Sequence, residues 1–385
     1  MDTALVARTE ALTLERLAPR AARYDQQACH PSENWEDLRK EGLFGLCIPQ
    51  GYGGLDVDPL TYVNVIERIA RGCASTAMTL HMHSTATMFI AALGTKEQHD
   101  RYFPEVVGKG KLIGSWGSEP AVSVTRTFLI ETSLTPAPGG YHVNGTKHFC
   151  TMAGAAGYSI AWGSLGGEPD MTKGLVGALV PAGSPGMETI GSWDPLGMRA
   201  TVSPGTKFTD CFVREDEVLG PGGAPLSCGV IELFALGYSA VYLGIAQAAF
   251  DYTAEFCRTK VFAPATEPIG ADPLIQRHLG EMAIALDSAR LVMERSAAQW
   301  PSADPARRGL LSAQAKYAAT EAGIAVTTRC LQVCGGRSAL KSMPVERAFR
   351  DVRTATLMPP NADSMLGILG RDKMGMSTAA FKPAE

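Results

Sequence analysis

The residue patterns that mark the commonest kinds of enzyme chemistry are missing from this chain of 385 residues. Neither GxGxxG nor the P-loop pattern GxxxxGK followed by Ser or Thr is present, so any nucleotide must be held in another way. The sequence also lacks HExxH and the GxSxG elbow, which argues against a zinc protease and an α/β hydrolase. The reactive groups must therefore be sought in less familiar arrangements.

Two pairs of potential metal ligands have unsuitable spacing. His81 and His83 are two residues apart on an expected helix and so point in different directions. Cys330 and Cys334 would share one helix face, but two further ligands are missing. The sequence predicts no metal site.

Hydrophobic spacing divides the chain into three regions that must position any site. Apolar residues recur at helical spacing over residues 1–112, change to short β-rich runs over 113–225, and return to helical spacing over 226–385. We therefore predict an α+β multidomain protein with an N-terminal helical domain, a middle antiparallel β-barrel-like domain and a C-terminal four-helix bundle.

Turn residues give provisional boundaries inside these regions. Asn144-Gly145 predicts a type I′ hairpin between strands at 141–143 and 146–150, because this pair readily adopts two positive φ angles. Further strands are predicted at 175–180 and 206–213. The helices predicted for the C-terminal region span 229–260, 272–300, 306–334, 343–357 and 361–376.

The composition argues against several classes of protein. There are 35 Lys and Arg against 39 Asp and Glu, a net charge of −4, so nucleic acid is not an expected partner. Nine cysteines without paired spacing argue against a disulfide framework. We see neither a signal peptide at the N-terminus nor an uninterrupted apolar run of about 18 residues. We therefore expect a cytoplasmic protein that makes no membrane contact.

Six short segments, in this order and spacing, together resemble the acyl-CoA dehydrogenase superfamily. No single segment is specific, but the likeness spans almost the whole chain and agrees with the helix, β, helix order. The segments are LCIPQGYGG at 46–54, GSEP at 117–120, VNGTKHFCT at 143–151, DPLGMRAT at 194–201, LQVCGG at 331–336 and Arg350-Asp351.

The resemblance implies a flavoprotein that binds FAD in preference to FMN, with the flavin ring between the β domain and the bundle. Ser118 matches the hydroxyl that hydrogen-bonds the pyrimidine edge of the flavin, although Ser is also common in turns. Phe149 matches an aromatic, usually Trp, that flanks the ring, and Thr151 matches a residue that reaches N5. We expect both side chains on one face of a strand, where Phe149 could equally be ordinary core.

A second group matches positions that, in the family, contact the adenine and pyrophosphate of FAD bound to a neighbouring subunit. Gln332, Gly335 and Gly336 belong to it, and two glycines at a helix end let backbone N–H groups approach an anion. The same glycines could be a plain helix stop. Phe262 matches the aromatic of an Arg-x-x-Phe segment, but Arg258 lies one residue early. The family is commonly tetrameric, so a homodimer or homotetramer is expected.

One departure from the family follows GSEP. There the family continues with small residues, as Gly-Ala-Gly-Ser-Asp, whereas this chain has AVSVTR at 121–126. β-Branched residues keep backbone further from a ligand than glycine does. Phosphate and thioester contacts at this segment are therefore expected to differ from those of the family.

The catalytic base is the second departure. Many relatives carry a Glu eight residues after the Asp that matches Asp351, and that position here is Pro359. Some relatives carry the Glu on the first bundle helix, where Glu232 is a candidate although it lies two residues early, a rotation of about 200°. Asp363 is the other candidate, but after Asn361 it could simply be an acid favoured in the first turn of a helix.

The resemblance leaves two reactions open. One is α,β-dehydrogenation of an acyl thioester on coenzyme A or an acyl-carrier protein, with an electron-acceptor flavoprotein or O2 as oxidant. The other is monooxygenation by reduced flavin and O2, as in relatives that act on amines, phenols or thiophenes and need no α-proton base. A flavin-binding protein without standard dehydrogenase activity is a third possibility, since the usual Glu is absent.

Overall fold

The computed structural model of the chain describes residues 1–122 and 128–377. Its N-terminal region is helical. Helix α5 runs through the centre of this region, and its residues are buried without interruption from Ala74 to Ile90. The N-terminal helices are α1 (Thr3–Leu12), α2 (Ala21–Gln27), α3 (Ser32–Lys40), α4 (Pro59–Gly72), α5 (Ala74–Leu93) and α6 (Lys96–Val107).

The middle region is an eight-stranded sheet, with a short helix α7 (Met171–Gly174) before its fifth strand. Seven strands form the path β6-β7-β3-β2-β4-β5-β8, and β1 pairs with β4 beside it. Most neighbours are antiparallel, whereas β4 pairs in parallel with both β1 and β2. The strands are β1 (Ile113–Trp116), β2 (Ser133–Ala137), β3 (Gly140–Lys147), β4 (Tyr158–Leu165), β5 (Leu175–Pro181), β6 (Met187–Ile190), β7 (Gly205–Arg214) and β8 (Val218–Leu219).

The predicted strands at 175–180 and 206–213 are confirmed as β5 and β7, but the predicted hairpin at Asn144-Gly145 is wrong. Both residues lie inside β3, where the pairing with β7 shifts register between Val143 and Gly145. The amide of Asn144 bonds Asp210 of β7 instead of forming a turn. A Cβ added to Gly145 would lie 2.3 Å from the hydroxyl of Thr132, so this glycine serves a bulge and a close approach.

The C-terminal region is a bundle of long helices whose ends lie within three residues of those predicted. Helix α8 is its centre and packs on α10, on α9 and on α4 of the N-terminal region. In the described part of the chain, α8 alone is long and apolar enough to cross a membrane; 72% of its apolar window is buried inside the protein, as in a core helix. The helices are α8 (Val230–Thr259), α9 (Pro273–Gln299), α10 (Pro305–Cys334), α11 (Pro344–Thr356) and α12 (Ala362–Lys373).

A buried guanidinium joins the three regions. Arg350 on α11 donates to both carboxylate oxygens of Asp25 on α2, at 3.0 and 2.7 Å. It also donates to Glu346 on its own helix and to the carbonyl of Leu196 in the β region. Its neighbour Asp351 accepts the backbone N–H of Met198 at 2.6 Å. These bonds fix the bundle against the surface where the flavin contacts were predicted.

Candidate active site

The turn after β3 carries two of the predicted flavin contacts, and the expected strand geometry is wrong there. Pairing with β7 ends at Lys147, so Phe149 and Thr151 lie in the turn beyond the strand. Phe149 has a φ of 55° and is 65% exposed, with its ring centroid 6.5 Å from that of Trp193. Its apolar ring thus faces outward, where it could cover a bound ligand, and is not part of the core.

Thr151, by contrast, is buried and tightly held. Its hydroxyl accepts a hydrogen bond from Ser203 at 3.1 Å, and its carbonyl accepts the indole N–H of Trp116 at 3.0 Å. Ser203 is bonded in turn to Thr201 at 2.9 Å. This hydroxyl network fixes the Thr151 side chain, as a residue aimed at one atom of a cofactor requires.

Ser118 lies next to this turn, and its carbonyl accepts the backbone N–H of His148 at 2.8 Å. The following residue, Glu119, forms a fully buried ion pair with Lys147 at 2.6 Å and accepts from Thr132. Burial lowers the pKa of Lys147 to about 8 although Glu119 opposes the shift. Sequence reasoning missed this pair, which anchors GSEP to the end of β3. Most of the departing segment at 121–126 lies outside the described residues, which resume at 128.

The second predicted group meets in one surface groove of about 460 Å³, lined in part by Phe262, Gly335 and Gly336. Arg337 also lines it, with its guanidinium carbon 4.6 Å from the centroid of the Phe262 ring. Sequence reasoning missed Arg337, although a guanidinium directly after two glycines is a recognisable signal for an anion site. The groove therefore combines an aromatic face, a cation and open backbone.

Two predicted members of this group stand apart from the groove lining. Gln332 is exposed one turn before the end of α10, and its carbonyl accepts the N–H of Gly335 at 3.2 Å. Arg258 is exposed and paired with Glu255 at 2.8 Å. The guanidinium that faces the groove is thus the one at Arg337, not the one at Arg258.

The groove has room for an anionic group beside Arg337. Gly335 has a φ of 73°, and a Cβ built at either Gly335 or Gly336 would meet no atom within 4 Å. The N–H of Gly335 is already bonded to the carbonyls of Leu331 and Gln332, and the Phe262 ring already contacts Arg337 at 4.6 Å and Lys260 at 5.3 Å. The Arg337 guanidinium is the group that can pair with a phosphate here, and the Asp272 carboxylate in the same lining opposes it in part.

Glu232, the first candidate base, lies in the first turn of α8. Its Oε2 is buried and has no hydrogen-bond partner. Burial raises the pKa of Glu232, and the charge of Arg308 opposes the shift in part. A buried unpartnered carboxylate oxygen with a raised pKa is well suited to accept a proton.

Asp363, the second candidate, is exposed in the first turn of α12. The side chain of Asn361 caps this helix by accepting the N–H of Ser364 at 3.0 Å. An acid two residues after such a cap is favoured by the helix dipole alone. The surroundings of Asp363 therefore add no chemical argument to its candidacy.

The segment that stands where many relatives carry the base is Met358–Pro360. The ammonium of Lys316, on α10, donates to the carbonyl of Met358 at 2.9 Å and to that of Pro360 at 2.6 Å. Lys316 is 1% exposed, and its Nζ lies 4.4 Å from the ring centroid of Tyr238. Sequence reasoning missed this buried cation, since a single Lys in a helix carries no pattern.

His81, rejected above as a metal ligand, lies beside Tyr238 in the same interior. It contacts the hydroxyl of Tyr62 through Nδ1 at 2.7 Å and stacks on Phe234, with ring centroids 5.2 Å apart. Burial lowers the pKa of His81 to about 3, so the ring is neutral at physiological pH. A Cβ on Gly237 would lie 2.3 Å from the imidazole, so this glycine makes room for the ring.

Two helical regions around a β sheet are the architecture of a class of flavin-dependent oxidoreductases, to which two family models assign this chain. The N-terminal domain model of the acyl-CoA dehydrogenase family matches residues 2–109, and a C-terminal domain model of that family matches residues 236–358. The chain belongs to the acyl-CoA dehydrogenase family.

Its similar proteins divide between two chemistries. The chain is 30% identical to the human short-chain specific acyl-CoA dehydrogenase of mitochondria, covering 88% of this chain and 82% of the relative. It is 31% identical to dibenzothiophene monooxygenase of Mycolicibacterium goodii, covering 87% and 86%. The FMN-bound TdsC of Paenibacillus sp. A11-2 superposes with a TM-score of 0.88 at 26% identity, covering 99% of both chains.

Proposed function

We propose that this flavin-dependent oxidoreductase catalyses the α,β-dehydrogenation of an acyl thioester, with Glu232 as the base. The observation that carries the proposal is the buried, unpartnered carboxylate oxygen of Glu232 on the first bundle helix. A carboxylate in such surroundings is costly unless it has a function or a partner that arrives with the substrate.

The chemistry divides between residue and cofactor. A bound FAD would supply the acceptor for the β-hydrogen, which leaves as hydride. The Glu232 carboxylate takes the proton of the α-carbon, and the electron pair left there forms the new C=C bond as the hydride leaves. The raised pKa of Glu232 makes it a stronger base than an exposed Glu, although a hydrogen bond from its own backbone and the charge of Arg308 oppose part of the rise.

The residues of this chain supply two sets of contacts to the cofactor. Thr151 and Ser118 lie at the turn predicted to meet the flavin ring, and the outward Phe149 covers it. The groove at Phe262 and Arg337 takes the adenosine diphosphate half, which is why FAD is proposed in preference to FMN.

The assembly and partners follow from the same groove, which opens on the outside of the subunit. We propose a homotetramer, or a homodimer, in which each groove receives the adenine end of a neighbour's FAD. The acyl group is carried on coenzyme A or an acyl-carrier protein, and electrons leave to an acceptor flavoprotein or O2. The proposed location is the cytoplasm.

The test is anaerobic mixing of the purified yellow holoenzyme with short-, medium- and branched-chain acyl-CoA, following loss of flavin absorbance. Wild type is expected to bleach, and E232Q to bleach at least about a hundredfold more slowly, the usual contribution of a general base. The matched control E255Q changes an exposed acid of the same helix and is expected within twofold of wild type. D363N tests the other candidate in the same assay.

Wild-type bleaching together with an unaffected E232Q would remove Glu232 as the base. Equal losses in E232Q and E255Q would mean that charge on α8, and not proton transfer, is responsible. A protein that no acyl thioester bleaches would refute the dehydrogenase proposal itself.

The second candidate is a monooxygenase, favoured by the apolar Met358 and by Pro359 where many relatives carry the base. In that reaction reduced flavin supplies two electrons, one oxygen atom enters the substrate and the other leaves as water. Met358 can shape a pocket for a flat aromatic substrate but cannot move a proton. The monooxygenase relative is named for dibenzothiophene, a flat aromatic molecule.

Oxygen incorporation into the product, together with anaerobic bleaching, separates the two candidates. The monooxygenase predicts oxygenated product from dibenzothiophene or indole when reduced FMN or FAD is supplied, with no anaerobic bleaching by acyl-CoA. The dehydrogenase predicts the reverse pattern.

A further inference from the structure

The Lys316 ammonium is buried, and the groups it contacts are two carbonyls and an aromatic ring, none of them charged. It donates to the carbonyls of Met358 and Pro360, and its third direction lies over the face of Tyr238. Three donors thus meet two carbonyls and one π face, the full capacity of an ammonium group. Within residues 1–122 and 128–377, no carboxylate forms an ion pair with Lys316.

Such a charge is tolerated only because the carbonyls are held where they are. Burial lowers the pKa of Lys316 to about 7, because the charged form loses its hydration inside the protein. Charge-assisted hydrogen bonds offset that cost, and they bind the carbonyls as strongly as they bind the ammonium. The two bonds therefore hold the Lys316 side chain and the backbone of Met358–Pro360 in place together.

A second bond secures the helix just before the clamped segment. The hydroxyl of Tyr242, on α8, donates to the carbonyl of Ala355 at 2.7 Å, near the end of α11. Leu357 and Met358 then complete the helix end through their own N–H groups, bonded to Thr354 and Ala355. Beyond them Pro359 and Pro360 have no N–H to donate, so the segment is held through its carbonyls, with Lys316 bonded to those of Met358 and Pro360.

We propose that Lys316 is a positioning residue that clamps Met358–Pro360 as a wall of the substrate site. This inference rests on the proposed function, because it takes that segment to border the reacting groups. Lys316 itself is fully engaged and touches no substrate. Its loss leaves the chemistry possible but lets the wall move, so it lowers the rate of the bound complex more than it weakens binding.

The first test is independent of activity. Amide hydrogen exchange of residues 357–363 is measured by mass spectrometry in wild type, K316M and Y242F. K316M removes every donor while keeping an unbranched chain, and it is expected to speed exchange in this segment at least tenfold. Y242F is the matched control. Because the Ala355 carbonyl also accepts the N–H of Met358, Y242F is expected to speed exchange at the end of α11 and at Met358 but not at residues 361–363. If K316M does not fold, K316Q, which keeps two N–H donors without charge, is measured for an intermediate effect.

The second test uses anaerobic bleaching by the best acyl-CoA. K316M is expected to lower the maximal rate at least tenfold while the half-saturating concentration stays within threefold. Wild-type exchange at 357–363 in K316M, or a change confined to half-saturation, would overturn the inference. If wild type is not bleached by any thioester, the proposed function fails, while the exchange experiment still decides whether Lys316 clamps this segment.

Discussion

Replacing Asp25 by Asn should destabilise the subunit by weakening the contact that joins its three regions. The substitution keeps the shape of the side chain but removes the carboxylate that accepts two bonds from Arg350 at 3.0 and 2.7 Å. The guanidinium stays buried, with Glu346 as its remaining acid. Leaving a buried charge with less compensation is far more costly than losing an exposed pair.

The size of the effect follows from these contacts. Removing one partner of a buried ion pair costs about 3–5 kcal/mol, and because Glu346 still pairs with Arg350 we expect the low end, about 3 kcal/mol. At roughly 2 °C per kcal/mol for a large domain, D25N should lower Tm by about 6 °C. Urea denaturation should show a lower midpoint.

The control is D100N, which breaks the exposed pair of Asp100 with Lys96 at 2.5 Å on α6. Exposed pairs contribute about 1 kcal/mol or less, so Tm should fall by less than about 2 °C. The reasoning is refuted if D25N is no more destabilising than D100N. It is also refuted if the unfolding free energy of D25N lies within 1 kcal/mol of wild type.

Three further predictions concern packing, pH and capping. G237A should lower the unfolding free energy in urea denaturation by about 1–3 kcal/mol, because its Cβ would lie 2.3 Å from His81. The control G309A, whose Cβ would meet no atom within 4 Å, should be neutral or stabilise by up to about 1 kcal/mol. Equal effects of the two variants would contradict this. Burial and the charge of Asp25 raise the pKa of Asp351 to about 6. The folded protein therefore binds that proton more tightly than the unfolded chain does. The resulting stabilisation is lost as pH rises from about 4 to 6. The unfolding free energy of wild type relative to D351N should therefore fall by about 3 kcal/mol over that window, and a flat difference would count against the raised pKa. T95A removes the capping box of α6 and should cost about 1 kcal/mol, which T95S should restore.

Most of the architecture could be predicted from the sequence, because long helices carry a strong periodic signal. The ends of the bundle helices follow Pro, Gly and Asp at their termini, and these residues act locally. The Asn144-Gly145 error has a physical cause of equal interest. The same dipeptide that suits a tight turn also suits a bulge, and the approach of Thr132, which is distant in sequence, decides between them.

The site residues could be predicted only where each belongs to a short local sequence pattern. Gly335, Gly336 and Phe262 could be named because they resemble a family pattern, and the structure brings them to one groove. The Lys316 clamp and the Glu119 pair join residues tens of positions apart, so no local spacing announces them. Long-range polar contacts of this kind depend on the packing of whole elements and not on sequence period.

Helix α5 was described as buried from Ala74 to Ile90, and this has a consequence for how the protein can change. The hydroxyls of Thr79, Thr85 and Thr87 donate to carbonyls three or four residues back, as Thr85 does to His81 at 2.9 Å, so these small polar residues can be buried in the helix. A helix at the protein surface tolerates substitutions on its solvent-exposed face, which recurs every three or four residues. Along α5 no such periodic pattern of tolerated substitutions is expected. Substitutions should be tolerated only in its last turn.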